Sequence, residues 1–289
     1  MRARLSAIQR LTGRRFTEGM TLLIGGTGKT GRRVLRRLQS QGIPVRVGSR
    51  SSQTRFDWDD ESSWRPALDG HRAVYITFHP DLGLPGAAQR VGDLADLAAR
   101  TGVEQLVLLS GRGEPLAEAA EQRVRDAGTG WTIVACSWFA QNFSEEFLLD
   151  AVLDGDLRLP AGDVAEPFVD ADDIADVVAA ALTDPAHRGR RYELTGPRAL
   201  TFAEVAAELS RASGRPVRYT PITFEEYEDV LREAGLPVEL GEMFRGILDG
   251  RNARPADGVR EALGRPARDF TAYAERAATS GVWGAEPVR

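Results

Sequence analysis

From Met20 onward, short apolar runs alternate with longer amphipathic stretches, which predicts repeated strand–helix units around a parallel sheet. Met20–Ile24 reads as a buried strand. A helix follows over Gly28–Gln41, with Val34, Leu35 and Leu38 on one face and Gly42 as its stop signal. Pro44–Gly48 is the second strand and Arg55–Trp58 a short third one. Ala73–Phe78 (AVYITF), Gln105–Leu109 (QLVLL) and Trp131–Ala135 (WTIVA) complete six strands, separated by helices over Gly86–Thr101 and Pro115–Ala127. Their β-branched and aromatic content suits a sheet covered on both faces. In the second half strands thin out and helices with start signals dominate: Thr201–Glu204 and Thr223–Glu226 both carry the capping-box pattern.

Composition narrows the classes. The 289 residues suit one large domain or a nucleotide domain with a smaller companion. No apolar run reaches the roughly 18–20 residues needed to cross a bilayer. A net charge of −5 argues against a nucleic-acid binder. The single cysteine, Cys136, excludes an intrachain disulfide and a cysteine metal cluster. His71, His79 and His187 have no ligand spacing, so no metal is expected. A cytoplasmic protein acting on a small molecule, without membrane or nucleic-acid partners, fits all of this. Residues 1–19 are arginine-rich and read as a flexible extension before a fold that starts at Met20; a membrane-surface or targeting arm is the alternative.

The sharpest motif is Gly25-Gly26-Thr27-Gly28-Lys29-Thr30-Gly31, between the first strand and the first helix. Its spacing is that of a dinucleotide turn: Gly25 for the tight bend, Gly28 for approach to a pyrophosphate, Gly31 for close helix–strand packing. Phosphate then meets the free N–H groups of a helix N-terminus. Gly28-Lys29-Thr30 also imitates a triphosphate P-loop, but that motif needs a glycine where Leu23 stands. The expected fold is therefore α/β, a Rossmann doubly wound parallel sheet with a small, mostly helical C-terminal substrate lobe. Residues 20–150 form the nucleotide domain, and 151–289 a mixed segment that completes the core and builds the lobe.

NAD specificity uses an acid at the end of the second strand, but here that strand runs into Ser49-Arg50-Ser51-Ser52. Arg50 suits a ribose phosphate, with Arg32 and the serines in support, so NADPH is expected over NADH. Asp57 and Trp58 read either as neighbours of the adenine or as a loop acid and a packing tryptophan.

On these residues the chain resembles the NmrA-like, atypical branch of the short-chain dehydrogenase/reductases, and within it bacterial relatives of ergot-alkaloid reductases of the festuclavine synthase type. The resemblance is carried by Gly25–Gly31, Leu109-Ser110-Gly111, Trp131–Asn142 (WTIVACSWFAQN), Phe168–Ala175 (FVDADDIA), Tyr192–Gly196 (YELTG) and Leu263–Pro266 (LGRP). It implies an NADP-binding core, a small C-terminal lobe and a cleft between them. Members include quinone, imine and enone reductases and non-catalytic redox sensors.

Most short-chain reductases use a Tyr-x-x-x-Lys pair for proton transfer. Of the 37 basic residues here only Lys29 is a lysine, and it precedes Tyr75, Tyr192, Tyr219, Tyr227 and Tyr273, so that pair cannot form. The expectation is NADPH-dependent hydride delivery to a small cyclic or aromatic imine, quinone or enone. The alternatives are a non-catalytic NADP(H) sensor acting on a protein partner, or a redox-neutral isomerase or cyclase. Ligands collect at the carboxyl ends of such strands. His79 and Ser110 are the catalytic candidates there; Phe78 and Ser110 are placed beside the cofactor, and Trp138, Phe139 and Asn142 beside the substrate. Asp172 and Asp173 read as helix-capping acids.

Overall fold

The computed structural model describes residues 19–145, 147–233, 235 and 238–284, so the expected extension lies outside the described residues except for Gly19. In chain order the strands are β1 (Met20–Ile24), β2 (Val45–Ser49), β3 (Thr54–Arg55), β4 (His71–Ile76), β5 (Gln105–Gly111), β6 (Gly130–Cys136), β7 (Asp156–Leu159), β8 (Ala165–Glu166), β9 (Arg190–Leu194), β10 (Leu200–Thr201) and β11 (Arg218–Pro221). Seven of them form one parallel sheet in the order β3-β2-β1-β4-β5-β6-β9. Chain order reverses between β1 and β4, and such a reversal opens a crevice beyond the strand ends.

Period-two alternation sends successive residues of each strand to opposite faces. Leu22 and Ile24 join Val91, Leu94 and Leu106 in one core, while Leu23 joins Val34, Val107 and Val178 in the other. Both faces are covered by helices: α1 (Gly31–Ser40), α2 (Trp64–Leu68), α3 (Ala87–Arg100) and α4 (Pro115–Asp126) lie in the first half. After β6 come α5 (Asn142–Glu145), α6 (Leu149–Asp154), α7 (Ala171–Thr183), α8 (Phe202–Ser213), α9 (Phe224–Glu233), α10 (Glu239–Ile247), α11 (Gly258–Leu263) and α12 (Phe270–Thr279). A third, strongly aromatic core including Trp138, Phe143, Phe168, Phe202, Phe244, Phe270, Tyr273 and Trp283 lies among these later elements.

Several expectations need correction. Helix α1 starts at Gly31, not Gly28, because residues 25–30 make the turn. The third strand stops at Arg55; Phe56 and Trp58 leave it to pack with Trp64. The second half supplies a seventh strand to the main sheet, β9, and two small sheets, β8 with β10 and β7 with β11. The cap of α7 is Asp170, which accepts from the Asp172 N–H, rather than Asp172 or Asp173. Asp172 pairs with Arg37 of α1 at 2.7 Å, and the fully buried Asp173 takes the Arg265 and Arg268 guanidinium groups. Two motifs far apart in sequence, FVDADDIA and LGRP, thus meet as one ion cluster. Both capping boxes form as expected.

Beneath the carboxyl edge, the almost fully buried Glu121 of α4 accepts from Ser110 Oγ at 2.8 Å, Arg125 at 2.9 Å and Arg191 of β9 at 2.7 Å. Removing one partner of a buried pair strands the others, so Glu121→Ala should cost about 3–5 kcal/mol. The check is a lower urea midpoint at unchanged m-value.

Candidate functional site

The glycine turn is built by close approach. Gly25 has φ +75°, which favours glycine, and a methyl group added there would lie 2.0 Å from Thr77 Oγ1. A methyl on Gly31 would meet the Gly25 carbonyl oxygen at 2.2 Å and Gly26 Cα at 2.6 Å, so only glycine lets α1 begin this close to β1. The crest, Thr27 and Gly28, is exposed. Among the described residues, no acceptor takes the backbone N–H of Thr27, Thr30 or Gly31. Thr30, at the N-cap, makes no side-chain cap bond, since its hydroxyl takes the Tyr75 hydroxyl proton at 2.9 Å. Unused N–H groups at a helix start, with room that a side chain would fill, fit a pyrophosphate. Lys29, Arg32 and Arg33 add positive charge beside it; Arg32 and Arg33 are held by Glu145.

Thr77, at the end of β4, joins the turn to its neighbours. Its hydroxyl donates to Ile24 O at 3.0 Å, and its carbonyl accepts from Trp58 Nε1 at 3.2 Å. The Phe78 ring lies 4.8 Å from Trp58, so Gly25, Trp58 and Phe78 come together. The Asp57 carboxylate instead caps its own turn through the Asp59 N–H. Ser49 and Ser52 are bonded to each other within the turn after β2, and Ser52 spends its hydroxyl proton on nearby carbonyls. Arg50 projects from that turn, exposed, and has no hydrogen bond or ion pair among the described residues.

On the other side of the turn, Lys29 Nζ donates to Asn142 Oδ1 and lies 5.5 Å from the centre of the Phe139 ring. Those two expected substrate residues therefore face the cofactor turn. Trp138 points the other way, into the aromatic core between Phe168, Phe202 and Phe244. His79 is exposed after β4. Ser110 is buried, and its hydroxyl proton goes to Glu121.

The sequence reading missed two groups between the ends of β4 and β5. Asp81 follows β4 and Glu114 opens α4. Glu114 is the N-cap residue, yet its side chain makes no cap bond. A methyl on Gly111 would lie 2.3 Å from Glu114 Oε1; one on Gly83 would lie 2.8 Å from Glu114 Oε2 and 3.2 Å from Asp81 Oδ1. The two carboxyls thus face one small volume at the strand ends. Burial, reinforced by the charge of Asp81, pushes the Glu114 carboxyl up to about 7, and burial raises Asp81 as well. Among tyrosines, Tyr75 lies under the turn, and burial drives its pKa far upward, so it keeps its proton.

Comparison with known proteins agrees with this geometry. The chain matches the family described as NAD(P)H-binding over residues 25–185 and the NmrA-like family over residues 118–264. It is 32% identical to an NAD(P)H azoreductase of Xenophilus azovorans, over 89% of this chain and 97% of that one. It is 31% identical to an agroclavine dehydrogenase of Claviceps fusiformis, over 86% and 91% respectively. The structure of a Citrobacter triphenylmethane reductase complexed with NADP(H) shares the fold, with a TM-score of 0.72 at 21% identity, covering 89% of this chain and 99% of that one. The chain belongs to the NmrA-like family of NAD(P)H-binding proteins.

Proposed function

We propose that this protein is an NADPH-dependent oxidoreductase reducing a small cyclic or aromatic imine, quinone or enone without a Tyr/Lys pair. The observation that carries the reading is one crevice holding both a glycine turn for a dinucleotide and a protonatable carboxyl, Glu114, beside the strand ends. When bound, the dinucleotide supplies the hydride. Gly25–Gly31 hold its pyrophosphate, and Arg50 with Ser49 face the ribose phosphate. Trp58 and Phe78 pack beside the adenine side, with Asp57 in the same loop. Phe139, Asn142 and Lys29 flank the reacting end.

Glu114 holds the proton that a neutral acceptor needs once it has gained hydride, and Asp81 raises the fraction of Glu114 that is protonated near neutrality. His79, exposed two residues before Asp81, is placed to exchange that proton with solvent. Ser110 is a positioning residue, because its hydroxyl proton is committed to Glu121. The relatives named as an azoreductase and a clavine dehydrogenase support a conjugated small-molecule acceptor.

The cofactor assignment is tested with Arg50→Asp. Losing a charge-assisted contact should weaken NADPH by about 30-fold or more and leave NADH within about twofold. Equal losses for both, measured by nucleotide fluorescence titration, would remove Arg50 from the phosphate. The reductase reading itself is tested by NADPH oxidation across a panel of quinones, enones and cyclic imines. Tight NADPH binding with no oxidation by any acceptor would favour the sensor instead.

A further inference from the structure

Among the described residues, two buried polar groups near the crevice have no hydrogen-bond partner: Trp138 Nε1 and both carboxyl oxygens of Glu166. Such groups are rare in folded proteins and destabilise them unless something satisfies them. They sit on adjacent segments. Trp138 follows β6, and its carbonyl accepts the Val169 N–H at 2.8 Å. Glu166 ends β8, and the next residue, Pro167, accepts from Ser137 Oγ at 2.6 Å and from Gly196 N–H at 2.9 Å. Phe168, two residues after Glu166, has its ring 6.4 Å from that of Trp138.

The surroundings explain why Glu166 stays unpaired. Arg112 is close enough to act on it, yet its guanidinium donates to Glu193 at 2.9 Å and to Asn252 O at 2.9 Å. Asp249 adds like charge, and burial pushes the Glu166 carboxyl up to about 7. An aromatic path leads inward from solvent. Phe147 is 42% exposed; its ring lies 5.7 Å from Phe244, which lies 5.2 Å from Trp138, and both pairs are tilted by only 33–35°.

We propose that this is the substrate's binding slot: planar rings lie along Phe147, Phe244 and Trp138, and a cationic or N–H nitrogen of the substrate is held by Glu166. Trp138 Nε1 donates to a second polar atom of the same molecule. The inference rests on the reductase reading for what happens at the crevice, and it narrows the substrate to conjugated cyclic compounds carrying a nitrogen donor.

The test is calorimetric binding to the NADP⁺-loaded protein, where no reduction can occur, using two bicyclic probes of similar size, dihydroisoquinolinium and naphthoquinone. Glu166→Gln should weaken dihydroisoquinolinium by about 30-fold and leave naphthoquinone within about twofold. Trp138→Phe, which removes the N–H and keeps a ring, should weaken naphthoquinone, whose carbonyl oxygen accepts from that N–H, by about fivefold or more and leave dihydroisoquinolinium, which has no second polar atom, within about twofold. Because the unpaired carboxyl burdens the free protein, Glu166→Gln should melt no lower than the parent. Unchanged dihydroisoquinolinium affinity, equal losses for both probes, or a variant that melts lower, would overturn the proposal by making Glu166 a structural group. NADPH oxidation with the same two probes reports separately on the reductase reading: selective binding without oxidation removes that reading and leaves the slot.

Discussion

Gly31→Ala is expected to abolish useful dinucleotide binding, with a loss of about 100-fold or more in NADPH affinity. The added methyl would sit 2.2 Å from the Gly25 carbonyl oxygen and 2.6 Å from Gly26 Cα. Both are backbone atoms, so no side-chain rotation relieves the overlap. Either α1 retreats from β1 or the turn opens, and both displace the N–H groups of Thr30 and Gly31 that a pyrophosphate would use. Repacking this contact should also cost stability, about 1–3 kcal/mol. Gly42→Ala is the control: Gly42 has φ +70° at the far end of α1 with nothing within 4 Å. That change strains the chain by about 1 kcal/mol and should leave nucleotide affinity intact. Fluorescence titration of NADPH against both variants makes the comparison, and a Gly31→Ala protein binding within threefold of the parent would contradict it.

The second large effect is on turnover. Glu114→Gln should lower kcat for a neutral quinone or enone by about 100-fold while leaving NADPH affinity unchanged. The sign of the pH dependence follows from which form is active. The protonated carboxyl is the donor and its pKa is raised to about 7, so activity should be level below that pH and fall about tenfold per unit above it. The glutamine variant should lack that alkaline limb. Asp81 raises the Glu114 pKa through its charge, so Asp81→Asn should move the limb to lower pH. A pH–rate profile identical in parent, Glu114→Gln and Asp81→Asn would remove the pair from proton transfer.

How much of this could be read from the chain depended on how local each cause is. The glycine turn was legible because Gly28 and Gly31 answer contacts within the turn itself, Gly25 needs a positive φ, and a strand precedes the turn and a helix follows. Strands β1, β4, β5 and β6 were legible because each is a short apolar run that is largely buried, whereas β2 and the two-residue β3 at the sheet edge are only partly buried. Strand β9 was harder: its Arg191 and Glu193 serve ion pairs at the sheet edge and its Arg190 is exposed, which dilutes the apolar signal.

The site beyond the turn was less legible, because its parts are assembled by the fold. Asp81 and Glu114 meet only because the loops after β4 and β5 end side by side, and no spacing in sequence announces that. Ser110 read as a group free to meet substrate, yet a buried carboxylate one helix away claims its proton. Trp138 and Phe139 were expected together beside the substrate; these consecutive residues in fact point to opposite sides, one into the lobe and one toward Lys29. Asp172 and Asp173 resembled caps because acids favour first turns, whereas Asp170, with φ −76° and ψ 127°, has the extended backbone a cap requires.

The central claim is that a reductase operates here with a glycine turn and a carboxyl acid in place of the Tyr/Lys pair. The most direct measurement follows deuterium from the transferable position of labelled NADPH, with an enone and a cyclic iminium as acceptors. The account predicts one carbon-bound deuterium in each reduced product, and a Glu114→Gln variant that is slowed with the enone far more than with the iminium, which needs no proton. Bound NADPH that passes no label to either acceptor would contradict it.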